Sequence, residues 1–273
     1  MTDARPPIPS EPARLRSLFI SDVHLGTRAC RAESLLDLLS AYDVQRIYLV
    51  GDIVDGWRLK ARWHWPKSHD AIVRILLAKQ HAGTRILYIP GNHDEFLLGT
   101  VGLHLGGIEV VDHAVHQAQD GQRYLVVHGD QFDPVVRRMR RLAALGIWIY
   151  SASVLAHDGI TRLRKRLGWV RRRGSDVRFI RQAVQAARHR GLDGVICGHL
   201  HRPAMREVAG LNYINTGDWV SSCTAVVEHH DGRMEMLTWP EAPRPMQTPV
   251  ATPATACWEG SVALPSLADS AAG

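Results

Sequence analysis

Cysteine is scarce in this chain. Cys30, Cys197, Cys223 and Cys257 are scattered over 273 positions, with no CxxC pair. That spacing excludes a disulfide framework and fits a reduced, cytosolic protein. Long apolar runs are also missing. The longest candidate, 142–156, falls short of the ~20 residues needed to cross a bilayer and carries Ser and Tyr. The opening MTDARPPIPSEPARLR has no apolar core of the secretory type, so the expected location is the cytoplasm. No G-x-S-x-G elbow is present, and chemistry through a serine nucleophile has no local support. Internal repeats are absent too.

The chain does carry an ordinary globular composition, 45% hydrophobic and 22% charged, in a length that suits one large domain. The net charge of +6 points weakly to anionic partners such as phosphorylated metabolites, nucleic acid or an acidic membrane surface. Residues 1–15 are rich in Pro, Arg and Ser, and 241–273 in Pro, Ala and Thr; both are expected to be flexible. Between them, 16–240 alternates β-type runs (17–21, 46–50, 85–90, 124–128, 194–197) with helical spacing over 32–41, 70–81 and 177–190. More strands follow in LNYIN, TAVVEH and MEMLTW. This order predicts an α/β sandwich with helices on its outer faces. Residues 133–176 break the rhythm. They are dense in arginine with apolar residues at helical spacing, and read as a helical insertion.

Five short motifs follow β-runs in order: Asp22-Val-His24, Gly51-Asp52-Ile-Val-Asp55, Gly91-Asn92-His93-Asp94, His128-Gly-Asp130 and Gly198-His199-Leu-His201. Carboxylate and amide oxygens suit hard cations, and neutral imidazole extends the range to Mn, Fe or Zn. In D-x-H and H-x-H, period-two alternation puts both ligands on one side of an extended segment. Any one motif alone is more often a solvated loop or a cap. All five at the C-terminal ends of β-runs, where ligand sites gather in open α/β sheets, make a metal site the better reading. The other histidines, His69 and His116 among them, lack such a context and read as structural or surface residues, and Cys197 as a core residue.

The ordered set D-x-H, GDxxD, GNHD, HGD, GHxH is similar to that of the calcineurin-like metallophosphoesterases over about residues 17–240. The resemblance implies a two-sheet α/β/β/α sandwich with two divalent ions. One ion would be held by Asp22, His24, Asp52 and His201. The other would be held by Asp52, Asn92, His128 and His199, with Asp52 bridging. It further implies that His93 contacts the phosphate and that Asp94 orients His93, with Asp55 and Asp130 behind the ligands. Such an ion pair, ~3.5–4 Å apart, activates water for in-line attack on phosphorus.

Within the superfamily, LFISDVHLG, GDIVDGW, HGDQFD and INTGDW resemble the bacterial UDP-2,3-diacylglucosamine diphosphatase group. That implies a pyrophosphate substrate in a lipid A precursor, and manganese as the usual metal, with Fe, Zn and Mg as alternatives. The group typically has Arg where this chain has His93. A soluble phosphodiesterase or phosphatase acting on nucleotides therefore stays open, as does a binding module with a structural metal. The insertion either lies in the membrane interface with its arginines on lipid phosphates, or packs as a hairpin on the sheet. No nucleic-acid partner is expected.

Overall fold

The computed structural model describes residues 13–134, 136 and 173–240. The expected flexible ends, 1–12 and 241–273, and most of the expected insertion lie outside the described residues.

Two sheets stack face to face. The first runs β12-β11-β1-β2-β3-β5-β4, the second β6-β7-β8-β10-β9. In the first, β1 (Ala13–Ile20), β2 (Tyr42–Val50), β3 (Arg85–Ile89) and β5 (Ile108–Val110) run parallel. On its margins lie β4 (His104–Leu105), β11 (Thr224–Glu228) and β12 (Met234–Thr238). In the second, β7 (Arg123–Val126), β8 (Gly194–Cys197) and β10 (Leu211–Asn215) are parallel. Its edges are β6 (Ala114–Gln117) and β9 (Ala204–Val208). Crossovers α1 (Ala32–Ala41) and α3 (Lys67–His81) link β1–β2 and β2–β3, and α4 (Arg173–Arg188) precedes β8.

Side-chain alternation builds the layers. In β1, β2 and β3, Leu18, Ile20, Ile47, Leu49, Ile86 and Tyr88 join a core with Leu35, Leu38, Leu39, Ile72 and Leu76 of α1 and α3. The intervening Phe19, Tyr48, Val50, Leu87 and Ile89 point the other way, into a core shared with Tyr124, Val126, Ile196 and Ile214 of the second sheet. On that sheet's far side, Leu125, Val195 and Tyr213 pack on Phe179, Ala183 and Val184 of α4. Strands buried on both faces read as continuous apolar runs, which is why they were legible in sequence. The result is the expected α/β/β/α sandwich.

Register brings the site together. Ile20 sits beside Leu49, Val50 beside Ile89, Val126 beside Ile196 and Cys197 beside Asn215. The parallel strands of each sheet therefore end level with one another. All five motifs are the loops that leave those ends.

Candidate metal centre

Five of the motif residues carry backbone that L-residues avoid. Asp22, His24, Asp52, His199 and His201 have φ of 52°, 54°, 54°, 68° and 54°. Among the described residues only Ala209 and Cys223 share that property outside glycine. A left-handed residue costs about 1–2 kcal/mol, so this end of the molecule holds strain that the surrounding fold must enforce. The enforcement is visible. Asp22 N–H donates to Gly51 O (3.0 Å) and His24 N–H to Asp52 O (2.9 Å), locking the first two loops together. Gly91 and Gly198 are required by close approach, because a Cβ there would overlap Asp52 Oδ1 and Asp22 Oδ2 respectively.

Three groups of potential ligands result: Asp22, His24 and His201; His24, Asp52 and His93; Asp52, His128 and His199, each with donor atoms within 4.8 Å of one another. Asp52 belongs to two of them. Its Oδ2 lies 3.3 Å from His128 Nε2, and its Oδ1 accepts from His93 N–H at 2.8 Å. Asp22 Oδ1 lies 3.0 Å from His201 Nε2, and His24 Nε2 lies 3.4 Å from His201 Nε2. Asn92 is buried, and its Oδ1 makes no hydrogen bond among the described residues. Buried polar atoms without partners are costly, and oxygens and imidazole nitrogens collected in this way fit divalent cations.

Charge is tightly coupled here. Burial alone would raise the Asp22 carboxyl, but the charge and hydrogen bond of His201 outweigh it and hold it at about 2. Burial is likewise overcome at Asp52, where His128 and His93 keep the carboxylate well below its ordinary range. The same carboxylates raise His128 and His201 against their own desolvation. Asp130 adds to the field on His128.

His93 stands at the mouth, with its side chain 24% exposed. The resemblance assigned its orientation to Asp94; the geometry corrects this. The Asp94 carboxylate accepts from the backbone N–H of Ile53 (3.1 Å), Val54 (2.7 Å) and Gly91 (3.2 Å) and from the Tyr88 hydroxyl (2.9 Å). It clamps the GDxxD loop to the GNHD loop. Burial and the charge of Asp52 push its carboxyl up to about 6. The His93 ring is gripped instead by the first turn of α2 (Gly56–Ala61). Asp55 Oδ1 is 3.1 Å from His93 Nδ1, Gly56 N–H donates to His93 O (3.1 Å), and the Trp57 ring lies 4.3 Å from the imidazole. Asp55 also caps that helix through Arg58 N–H at 2.9 Å. Burial opposes protonation of His93, but Asp52 and Asp55 raise it to about 9.

Two carboxylates escaped sequence reasoning. Asp218 is fully buried, with Oδ2 3.6 Å from His201 Nδ1, and Asp133 Oδ2 is 3.2 Å from His199 Nε2. Both sat within motifs noticed for other reasons, INTGDW and HGDQFD, and nothing in their spacing linked them to a histidine.

A calcineurin-like phosphoesterase family model matches residues 15–203 of the chain. The protein belongs to the calcineurin-like phosphoesterases. It is thus a metal-dependent hydrolase of phosphate esters, with divalent ions as cofactors. The chain is similar to a UDP-2,3-diacylglucosamine hydrolase of Xanthomonas campestris pv. campestris, at 27% identity over 80% of this chain and 97% of that relative. A protein of the same name from Pseudomonas paraeruginosa is 29% identical over 74% of this chain and 90% of its own length. Among solved structures it is similar to the E. coli phosphoesterase Yfce, with TM-score 0.42 and 16% identity over 82% of this chain and 99% of that one. No helix among the described residues is long and apolar enough to cross a membrane.

Proposed function

We propose that this phosphoesterase cleaves the pyrophosphate of UDP-2,3-diacylglucosamine or a closely related nucleotide-lipid, using two divalent ions held by Asp22, His24, Asp52, Asn92, His128, His199 and His201. The carrying observation is the membership of Asp52 in two ligand groups at once, which suits one carboxylate shared between neighbouring cations. When bound, such ions activate water and neutralise charge at the phosphoryl group. Manganese is the preferred metal in this reading, since the donor set mixes oxygen with imidazole.

The protein's own groups have defined tasks. Asp55 fixes Nδ1 of His93, so Nε2, 4.0 Å from Asp52 Oδ2, is turned to the centre, where it donates to the phosphoryl or departing oxygen. Trp57 holds the ring against rotation. Asp94 supports both loops from beneath rather than taking part in proton transfer. For the substrate, support comes from the relatives named UDP-2,3-diacylglucosamine hydrolase and aligned over most of both chains. The sequence of 137–173, dense in arginine around an apolar stretch, suits an amphiphilic anion and contact with the inner face of the cytoplasmic membrane. A second reading, a soluble phosphodiesterase acting on nucleotides, is favoured by His93 itself, which follows the general GNHD pattern.

The test is substrate competition. With manganese, UDP-diacylglucosamine should be hydrolysed with kcat/KM at least about tenfold above that for deacylated UDP-sugar or cyclic nucleotides, a gap of ~1.4 kcal/mol in transition-state binding. Preference for the water-soluble compounds overturns the lipid assignment. Equal flotation on anionic liposomes of the full chain and a 137–173 deletion removes the membrane contact.

A further inference from the structure

The histidines of the centre share an arrangement that singles out one residue. In His24, His128 and His201 the outer nitrogen is Nδ1: it lies 3.2 Å from Asp55 Oδ2, 2.9 Å from Val50 O and 3.6 Å from Asp218 Oδ2 respectively. Nε2 of each therefore faces inward. His199 is reversed. Its Nε2 lies 3.2 Å from Asp133 Oδ2, which leaves Nδ1 to serve in the ligand group that His199 forms with Asp52 and His128. A histidine that binds metal commonly gives its other N–H to a carboxylate or carbonyl, which fixes tautomer and ring orientation.

The Asp133–His199 pair is built rather than incidental. Both side chains are about nine-tenths buried, at 10% and 9% exposure. The His199 ring is stacked on Phe179 (5.8 Å between centroids, 14° between planes) and meets His128 edge-on at 5.3 Å. Asp133 is placed by the same loop that supplies His128. Gly129, at φ 111°, turns the chain into a 3-10 turn over Asp130–Phe132, and Asp133 N–H closes it on Asp130 O at 3.0 Å. Phe132 pins that turn against Phe179, edge to face at 5.8 Å. One short loop thus delivers a ligand and, five residues on, the anchor of that ligand's neighbour.

We infer that Asp133 is a positioning residue of the metal centre: its carboxylate accepts the Nε2 proton of His199 and so presents Nδ1 to the second cation. This rests on the two-metal reading above. Loss of such a partner lowers metal affinity by about 10- to 100-fold. The experiment is calorimetric titration of the full chain with Mn²⁺, for wild type, Asp133→Ala and Asp133→Asn. Wild type should bind two ions. Asp133→Ala should weaken one of them about 10- to 100-fold and leave the other unchanged; Asp133→Asn should fall between. Zinc-loaded, ¹⁵N-histidine-labelled wild type should show His199 metallated at Nδ1 and protonated at Nε2. Unchanged affinity in both variants, equal weakening of both sites, or metallation of His199 at Nε2 overturns the inference. Should Asp133→Ala not fold, the isosteric Asp133→Asn carries the same comparison. Failure of wild type to bind any ion sinks the two-metal reading itself, and is told apart by needing no variant.

Discussion

Buried histidine–carboxylate clusters occur twice among the described residues, and they have little else in common. Between the sheets, Glu228 of β11 is fully buried and accepts from Ser17 Oγ (2.9 Å) and Gln119 N–H (2.8 Å) and pairs with Arg16; His116 Nε2 is 3.0 Å away, with its Nδ1 3.1 Å from the Tyr48 hydroxyl. Its members on β1, β2, β6 and β11 sit in regular strand geometry. At the strand ends, Asp22, Asp52 and Asp55 are met by histidines, the backbone is left-handed at five positions, and Asn92 Oδ1 has no partner among the described residues. The first cluster closes its own charge and ties one sheet to the other. The second gathers carboxylate and amide oxygens with imidazole nitrogens, a donor set that suits a divalent cation. Burial and residue type do not separate a site from a staple; strain, unpaired donors and convergence of loops do.

Substitutions should separate the two clusters cleanly, and the largest effect belongs to the metal end. Asp52→Asn should cut kcat/KM for bis-p-nitrophenyl phosphate by at least about 10³-fold while far-UV circular dichroism stays native, because it removes the group shared by both ligand sets. Near-wild-type turnover would dissolve the contrast. Next comes Asp55→Asn, which loosens His93. We expect kcat to fall about 10²-fold and, because Asp55 Oδ2 also holds Nδ1 of His24, the manganese concentration for half-maximal rate to rise, read from a metal titration of the rate.

The staple should do the reverse. Glu228→Gln should leave turnover intact and destabilise by about 2 kcal/mol at pH 7, measured by urea unfolding. Its pH dependence has a fixed sign. Burial would raise the carboxyl, yet His116, Gln119 N–H and Ser17 hold it at about 2, below its ordinary 4.5. The stability it contributes is complete above pH 4.5 and drains as pH falls towards 2, so the gap between wild type and Glu228→Gln should close over that window. A gap constant from pH 7 to 2 would mean that charge is not what the staple uses.

The smallest effect tests the strain. Ala209→Gly relieves a left-handed residue outside the site, at φ 52°, and should raise metal-free stability by about 1 kcal/mol in urea unfolding, with turnover unchanged. Lower metal-free stability would show that backbone strain at this position is not a net cost.

These contrasts also mark how far the sequence could be read. The strands that end in the site were legible because burial on both faces made them apolar runs, and the motif residues because Asp, His and Asn directly after such runs are rare. α2 was not, since six residues opening on Gly56 carry no periodicity. Nor were β4 and β9, two and five residues long with mostly exposed side chains. The anchors were hidden for another reason. Asp133 is 66 residues from His199, and only the level strand ends bring them together. Asp94 was misassigned because adjacency to His93 in sequence suggested a contact, whereas its side chain turns down onto backbone amides.

The central claim is a pair of cations bridged by Asp52, and electron paramagnetic resonance of the manganese-loaded protein addresses it directly. Two ions about 3.5–4 Å apart should give an exchange-coupled multiline spectrum that collapses to isolated six-line signals in Asp52→Asn. A six-line spectrum of one uncoupled ion in the wild-type protein, at saturating manganese, would contradict the account.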